Sequence, residues 1–209
     1  GDAARGTGGG RDSQTQDELR AMTERPIIFS GPMVRAILDG RKTQTRRIVK
    51  KGMLDDWNVC PYGLVGGKLW VRENCLQRPL PNLLTGEPTN AMCAVYRADN
   101  EPVLTPDGFD LAWWYSRSTC PGIHMPRWAS RITLEIVNVR IERLHEITED
   151  DARAEGCLPV VHPEDGAVDC GTRKATFAKL WDSINAKRGH GWATNPWVWV
   201  LEFRRVDVL

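Results

Sequence analysis

The stretch SRITLEIVNVRIERL, residues 130–144, constrains the fold more than any other part of this chain. Apolar and polar residues alternate along it, which is the period of a β-strand with one buried face. It predicts a long half-buried strand, or a hairpin whose turn leaves no signature in the sequence. A second apolar stretch, PWVWVLEFRR at residues 196–205, predicts another strand. Because tryptophans and valines alternate in it, one of its faces is expected to be buried in a barrel.

Shorter signals complete the secondary structure. Strands are predicted at PIIF (26–29), TQTRRIVK (43–50), GGKLWVRE (66–73) and AVYRA (94–98), and helices at PMVRAILDG (32–40), TEDDARAEG (148–156) and TRKATFAKLWDSINAKRG (172–189). In the middle helix, Thr148 and Asp151 form a capping box and Gly156 is the matching stop. Strands with a few helices and no regular βαβ order predict an α+β fold, built on a small mixed or antiparallel barrel with flanking helices.

Two segments stand apart from this pattern. Residues 1–21 are Gly-rich and polar, so they are expected to form a disordered tail, with Met22 a natural start. Residues 22–209 are then expected to form a single domain, for which 41% hydrophobic residues are enough to build a core. Prolines interrupt every pattern between residues 76 and 121 except AVYRA, which predicts a long irregular insertion.

Composition excludes several classes of function. A formal net charge of +1 gives the chain no strong overall field for a polyanion. No apolar run approaches the length of a membrane span, so no membrane partner is expected. Neither the cysteines nor the histidines have zinc-ligand spacing, so we predict no metal, no cofactor and free thiols in a reducing cytoplasm. These residues are Cys60, Cys75, Cys93, Cys120, Cys157, Cys170, His124, His145, His162 and His190.

The basic stretch LDGRKTQTRRIVKK, residues 38–51, is the main candidate for function. Lysine and arginine also occur on solvated strand edges, where they discourage aggregation. The stretch alone therefore supports a solvated edge and a functional site about equally.

Four motifs together carry a resemblance to a known family. ILDGRKTQTRR, LWVRE, ITEDDARAEG and the terminal WVLEF resemble the ASCH domain family, whose fold is a PUA-like β-barrel. The resemblance runs from about residue 26 to residue 206, apart from the insertion, and implies recognition of nucleotides or RNA. Some bacterial ASCH proteins hydrolyse N(4)-acetylcytidine, using the lysine and second threonine of GRKTxTxR and a glutamate of a later TExxAxxE helix. By resemblance, those catalytic positions are Lys42, Thr45 and Glu155.

The chemistry of these three residues sets further conditions. A threonine hydroxyl becomes a useful nucleophile only beside a group that takes its proton. Cationic neighbours lower the pKa of Lys42, whereas contact with Glu155 would raise it, so the sequence leaves the outcome open. On a regular strand Lys42 and Thr45 would point to opposite faces. They converge only if the strand starts irregularly, which Gly40 would permit.

The remaining candidates concern binding. Arg47 is expected to steady an oxyanion, and Arg46 to matter little for the rate. Arg72 and Glu73 at the end of LWVRE, and Arg127 and Trp128 in HMPRWASR, are candidate substrate contacts, since tryptophan can stack on a base. The predicted function is hydrolysis of N(4)-acylated cytosine nucleosides. The alternative is a non-catalytic PUA-like module that binds RNA or single-stranded nucleic acid in a basic groove.

Overall fold

The computed structural model describes residues 24–50, 60–82, 84–159 and 172–206. The strands are β1 (Glu24–Ile28), β2 (Gln44–Ile48), β3 (Lys68–Arg72), β4 (Cys75–Pro81), β5 (Pro88–Tyr96), β6 (Thr119–Cys120), β7 (Thr133–Arg143) and β8 (Trp197–Val206). The helices are α1 (Gly31–Leu38), α2 (Glu149–Ala154) and α3 (Arg173–Asn185), and short 3₁₀ turns include Ala186–Arg188. The predicted tail at 1–21 lies outside the described residues.

The main sheet has five strands in the order β1-β3-β7-β8-β2. The β1–β3 pair is parallel and the other pairs are antiparallel, so the fold is α+β with a mixed sheet, as predicted. Among the described strands, β1 and β2 are the two edges of the sheet and do not pair with each other, so the expected barrel is not closed by backbone hydrogen bonds. The two edges nevertheless lie close together, because the Arg47 side chain donates to the Ile28 carbonyl at 3.0 Å.

The alternating stretch at 130–144 forms one strand, β7, and not a hairpin. Its pairing with β8 shifts between Ile136 and Asn138, as expected for a β-bulge. A bulge inserts one extra residue into a strand and bends it. Both halves of β7 nevertheless stay paired with β8.

Both faces of β8 are buried, although the sequence predicted only one buried face. Trp199, Leu201 and Phe203 pack with α1 and the β1, β3 and β7 side chains in the main core. Val198 and Val200 point the other way and pack against Phe177 and Trp181 of α3 and other residues from this side of the sheet. The central strand therefore joins two cores, and α3 covers the side of the sheet formed by Val198 and Val200.

The segment 76–121 contains more regular structure than the sequence predicted. Strands β4, β5 and β6 form a second, three-stranded sheet in the order β5-β4-β6 over a core of its own. The prolines of β4 concealed this strand, and its register is irregular between Pro79 and Pro81. Proline is tolerated at such irregularities because the missing N–H need not join the ladder.

Candidate functional site

The chain reaches Lys42 through a left-handed turn after α1. Gly40 has φ +71°, and the backbone N–H groups of Arg41 and Lys42 both donate to the Ala36 carbonyl. Lys42 then forms an isolated antiparallel bridge with Glu155, just after α2. Because Lys42 precedes β2, the alternation of that strand does not fix the direction of its side chain. The irregular start that the sequence required is present.

A glycine allows the Lys42 and Glu155 segments to come close. Gly156 has φ +87°, which favours glycine, and it follows Glu155 at the end of α2. A Cβ placed on Gly156 would lie 3.1 Å from Cβ of Ala36 and 3.2 Å from Cβ of Lys42. The residue predicted as a helix stop therefore also permits the close packing of two distant segments. The capping box of Thr148 and Asp151 at the other end of α2 is confirmed.

Lys42 is only 2% exposed and is fully engaged. Its Nζ donates to Glu155 Oε2 at 2.6 Å, to the Glu155 carbonyl at 2.9 Å and to the Gln44 carbonyl at 2.8 Å. These bonds occupy all three protons of an ammonium group. Burial lowers the pKa of Lys42, and the charge and hydrogen bond of Glu155 offset only part of that shift. Burial, which the sequence could not reveal, therefore decides the direction in which the pKa of Lys42 shifts.

The second oxygen of Glu155 contacts a buried arginine. Arg46 Nη1 lies 3.3 Å from Glu155 Oε1, and the Arg46 side chain has no exposed surface. The same guanidinium bonds Glu142 Oε1 through Nη2 at 2.5 Å and Nε at 2.9 Å, and approaches Asp151 at 3.3 Å. One arginine therefore holds three carboxylates. Sequence reasoning missed this role, since no local signal places these acids around Arg46.

Asp151 links this network to the start of α2. Gln44 Nε2 donates to its Oδ1 at 3.0 Å, and the Thr148 backbone N–H donates to its Oδ2 at 3.0 Å. Burial alone would raise the pKa of Asp151, but these hydrogen bonds and the charge of Arg46 lower it from 3.8 to about 2. The carboxylate is thus held ionised beside Arg46.

Thr45 and Arg47 form the other half of the arrangement. The Thr45 hydroxyl, on a residue 1% exposed, accepts a 2.6 Å hydrogen bond from Arg47 Nη1. The Arg47 guanidinium lies 5.1 Å from the centre of the Phe29 ring, and burial lowers the pKa of Arg47. Within the described part of the chain, Arg47 has no carboxylate partner and no hydrogen bond joins Thr45 to Lys42.

A cavity of about 610 Å³ connects these groups, which is within the usual size range for small-molecule sites. Thr45, Arg46, Arg47 and Glu155 line it, and Lys42 lies behind Glu155. Much of the apolar lining comes from α3, through Phe177, Leu180, Trp181 and Ile184. The sequence predicted this helix but gave no sign that a cavity opens beside it.

Four other candidates lie away from this cavity. Arg72 donates to the Ile123 carbonyl, and Arg127 pairs with Glu24 at 2.7 Å. Trp128 is 58% exposed, and its ring packs against Trp114. Glu73 is buried in a bidentate pair with Arg131, so it serves another part of the fold. None of these four residues lines the Thr45 cavity, so the proposed site omits them.

The described residues contain neither a cluster suited to a metal ion nor a helix suited to span a membrane. Among the described residues, no group of three or more His, Cys, Asp or Glu side chains is placed to hold a metal ion. The cysteines in the described ranges are free and buried, and Cys170 lies outside those ranges. No helix in the described part of the chain is long and apolar enough to cross a membrane.

Comparison with known proteins finds similarity only among solved structures. No protein-family model matches the sequence, and no curated protein matches it. One similar structure is a protein of Enterococcus faecalis V583 described as DUF984, with 11% identity, 95% of this chain and 93% of that chain covered, and a TM-score of 0.44. Another is an ASCH domain from Lactobacillus crispatus JV V101, with 12% identity, coverage of 95% and 96%, and a TM-score of 0.40.

Proposed function

We propose that the Thr45 cavity is the active site of an amidohydrolase that removes the acyl group from N(4)-acylated cytosine nucleosides such as N(4)-acetylcytidine. One observation carries the proposal. Thr45 and Glu155 line the same cavity although they come from distant segments, and buried Lys42 bonds the Glu155 carboxylate at 2.6 Å. A hydroxyl that shares a cavity with a carboxylate bonded to a buried amine has the groups that activated-nucleophile chemistry requires.

The Lys42–Glu155 pair supplies the proton transfers. Because burial lowers the pKa of Lys42, transfer of its proton to Glu155 across the short hydrogen bond costs less than it would in water. The resulting neutral amine takes the proton of the Thr45 hydroxyl. The Thr45 oxygen then attacks the acyl carbon, and Lys42 is again an ammonium.

The leaving group departs with the proton held by Glu155. Arg47 Nη1, 2.6 Å from the Thr45 hydroxyl oxygen, stabilises the negative charge that develops on the carbonyl oxygen next to it. Collapse of the tetrahedral intermediate breaks the bond to the cytosine N4, which receives the Glu155 proton. Water then hydrolyses the acyl-threonine ester and releases the acid.

The apolar wall suits the base of such a substrate. Phe177 and Trp181 belong to α3 and line the cavity together with the polar groups. Aromatic side chains hold bases by stacking on their faces, and this contact requires no particular hydrogen-bonding pattern. The cavity thereby offers an apolar surface for the ring and a polar wall for the amide.

The test is hydrolysis of N(4)-acetylcytidine, followed by the ultraviolet change when the conjugated amide is lost. Thr45→Val should lower the rate at least about a hundredfold, since the nucleophile is removed. Thr133→Val is the matched control, because the buried Thr133 hydroxyl has no hydrogen-bond partner in the described structure. It should keep the activity and melt at an equal or higher temperature.

Two results would reject the proposal. One is the absence of turnover of any N(4)-acylcytosine compound by the unmutated protein. The other is near-normal turnover by Thr45→Val. The non-catalytic alternative would then be favoured, and binding of single-stranded RNA that weakens steeply with salt should be measurable.

A further inference from the structure

The charges that line the Thr45 cavity do not balance. Four lining side chains are Lys or Arg, namely Arg46, Arg47, Lys50 and Arg188, and Glu155 is the single carboxylate among the described lining residues. Glu155 is already paired with Lys42 and Arg46. Three cations of the lining therefore have no carboxylate partner within it.

The position of each unbalanced cation is informative. Arg47 bonds neutral acceptors only, the Thr45 hydroxyl and the Arg46 and Ile28 carbonyls. Shielding a guanidinium from water without a counter-charge is costly, and a bound anion would reduce that cost. Lys50 and Arg188 are exposed and, in the described ranges, have neither a hydrogen bond nor an ion pair. They are free to bind a ligand that enters the cavity.

The unbalanced cations lie at different distances along the chain from Thr45. Arg47 contacts Thr45, where the proposed chemistry takes place, whereas Lys50 follows the end of β2. Five residues of extended chain span at most about 16 Å, and a lysine side chain can reach back over part of that span. Arg188 comes from the 3₁₀ turn after α3 and lines the same cavity. Lys50 and Arg188 thus bring two unpaired cations from separate segments to one cavity.

On the basis of the proposed function, we propose that the natural substrate is an anionic nucleotide, an N(4)-acylated cytidine monophosphate, whose phosphate is bound by Lys50 and Arg188 at the cavity mouth. The base lies against the apolar α3 wall with its acyl group at Thr45. Phosphate oxygens supply the counter-charge that the lining lacks, because charge-assisted hydrogen bonds to Lys and Arg are the common way to bind phosphate. A cavity of about 610 Å³ suits one nucleotide better than an RNA chain.

The kinetic test compares N(4)-acetylcytidine with its 5′-monophosphate. The unmutated protein should have a kcat/KM at least about tenfold higher for the nucleotide. Lys50→Gln and Arg188→Gln should each lower the nucleotide-to-nucleoside ratio about fivefold, chiefly through KM. Lys187→Gln is the matched control, since Lys187 is in the same turn as Arg188 but does not line the cavity, and it should keep the ratio.

A binding test separates this inference from the hydrolase proposal. Calorimetry should show that cytidine 5′-monophosphate binds more tightly than cytidine, with an affinity that falls as salt is added and falls again in Lys50→Gln. If this holds but no acyl compound is hydrolysed, the phosphate site stands and the amidohydrolase proposal fails. If both acylated compounds are hydrolysed equally well, the hydrolase stands and the phosphate site is wrong. Faster turnover of an acetylated RNA oligonucleotide than of the mononucleotide would also overturn the mononucleotide inference.

Discussion

Two buried clusters of charge in this protein look alike but are connected differently. In the first, Lys42 and Arg46 hold Glu155 beside the cavity. In the second, Arg131 forms a bidentate pair with Glu73, at 2.9 and 3.1 Å, and binds Asp99 at 2.8 Å. Both Glu73 and Glu155 are almost completely buried.

The hydroxyl groups next to the clusters differ most. Arg131 lies 3.8 Å from the centre of the Tyr96 ring, and the Tyr96 hydroxyl donates to the Ala129 carbonyl at 2.9 Å. Burial raises the pKa of Tyr96, so its proton is firmly held. The Thr45 hydroxyl accepts from Arg47 and has no acceptor for its own proton among the described residues. Buried ion pairs alone therefore do not identify a site, and the proposed function rests also on the Thr45 hydroxyl, whose proton has no acceptor among the described residues.

The largest expected difference between the two clusters is the effect on hydrolysis of replacing the cation of each. Lys42→Arg should lower hydrolysis at least about a hundredfold, because a guanidinium stays protonated and cannot act as a base. Arg131→Lys should leave the rate unchanged and lower only stability. The measurements are steady-state hydrolysis and thermal melting by circular dichroism. Near-normal hydrolysis by Lys42→Arg would exclude Lys42 as the base. If Lys42→Arg does not fold, Glu155→Gln tests the same ion pair.

Within the first cluster, Arg46 and Arg47 should separate stability from binding. Arg46→Ala leaves three carboxylates without their shared cation and should reduce the free energy of unfolding by about 3–5 kcal/mol. Arg47→Ala removes hydrogen bonds to neutral acceptors and should cost about 1 kcal/mol. Equilibrium unfolding in urea measures both. Equal losses would show that Arg46 is not the centre of the network.

Acid should affect the two clusters with opposite signs. The pKa of Asp151 is lowered from 3.8 to about 2 on folding, so its contribution to stability is present above pH 3.8 and is lost as the pH falls towards 2. Burial raises the pKa of Glu73, so protonation of Glu73 favours the folded state as the pH falls towards its unfolded value of 4.5.

Matched variants can separate these two contributions. Asp151→Asn should reduce the free energy of unfolding at pH 7 by about 1 kcal/mol, less at pH 2.5. As the pH falls, the free energy of unfolding of the unmutated protein should rise relative to that of Glu73→Gln. Urea unfolding at several pH values checks both, and parallel pH profiles for the two variants would contradict the assignment.

The smallest expected effect is that of metal removal. Since the proposed nucleophile and base are side chains, dialysis against a strong chelator should leave hydrolysis unchanged. The assay compares dialysed protein before and after adding Zn²⁺. Loss of activity that zinc restores would contradict a mechanism based on Thr45 and Lys42.

Local chemistry explains which features the sequence predicted. The cap at Thr148, the stop at Gly156 and the turn at Gly40 each depend on a few neighbouring residues, and the structure contains all three. The burial of Arg46 depends on acids 96 and 109 positions away, which no local pattern contains. Strand β4 was missed for the opposite reason, since its prolines argue locally against a strand that pairing with β5 stabilises.

The separation of 113 positions between Lys42 and Glu155 has a consequence for folding kinetics. Loop closure over such a distance is slow, and a lysine that has not yet met its carboxylate stays hydrated because burying it alone is too costly. Early collapsed states should therefore lack the pair even where α2 has formed from its own cap. In refolding experiments, activity should return after far-ultraviolet circular dichroism has recovered, so hydrolysis would time the last step of assembly.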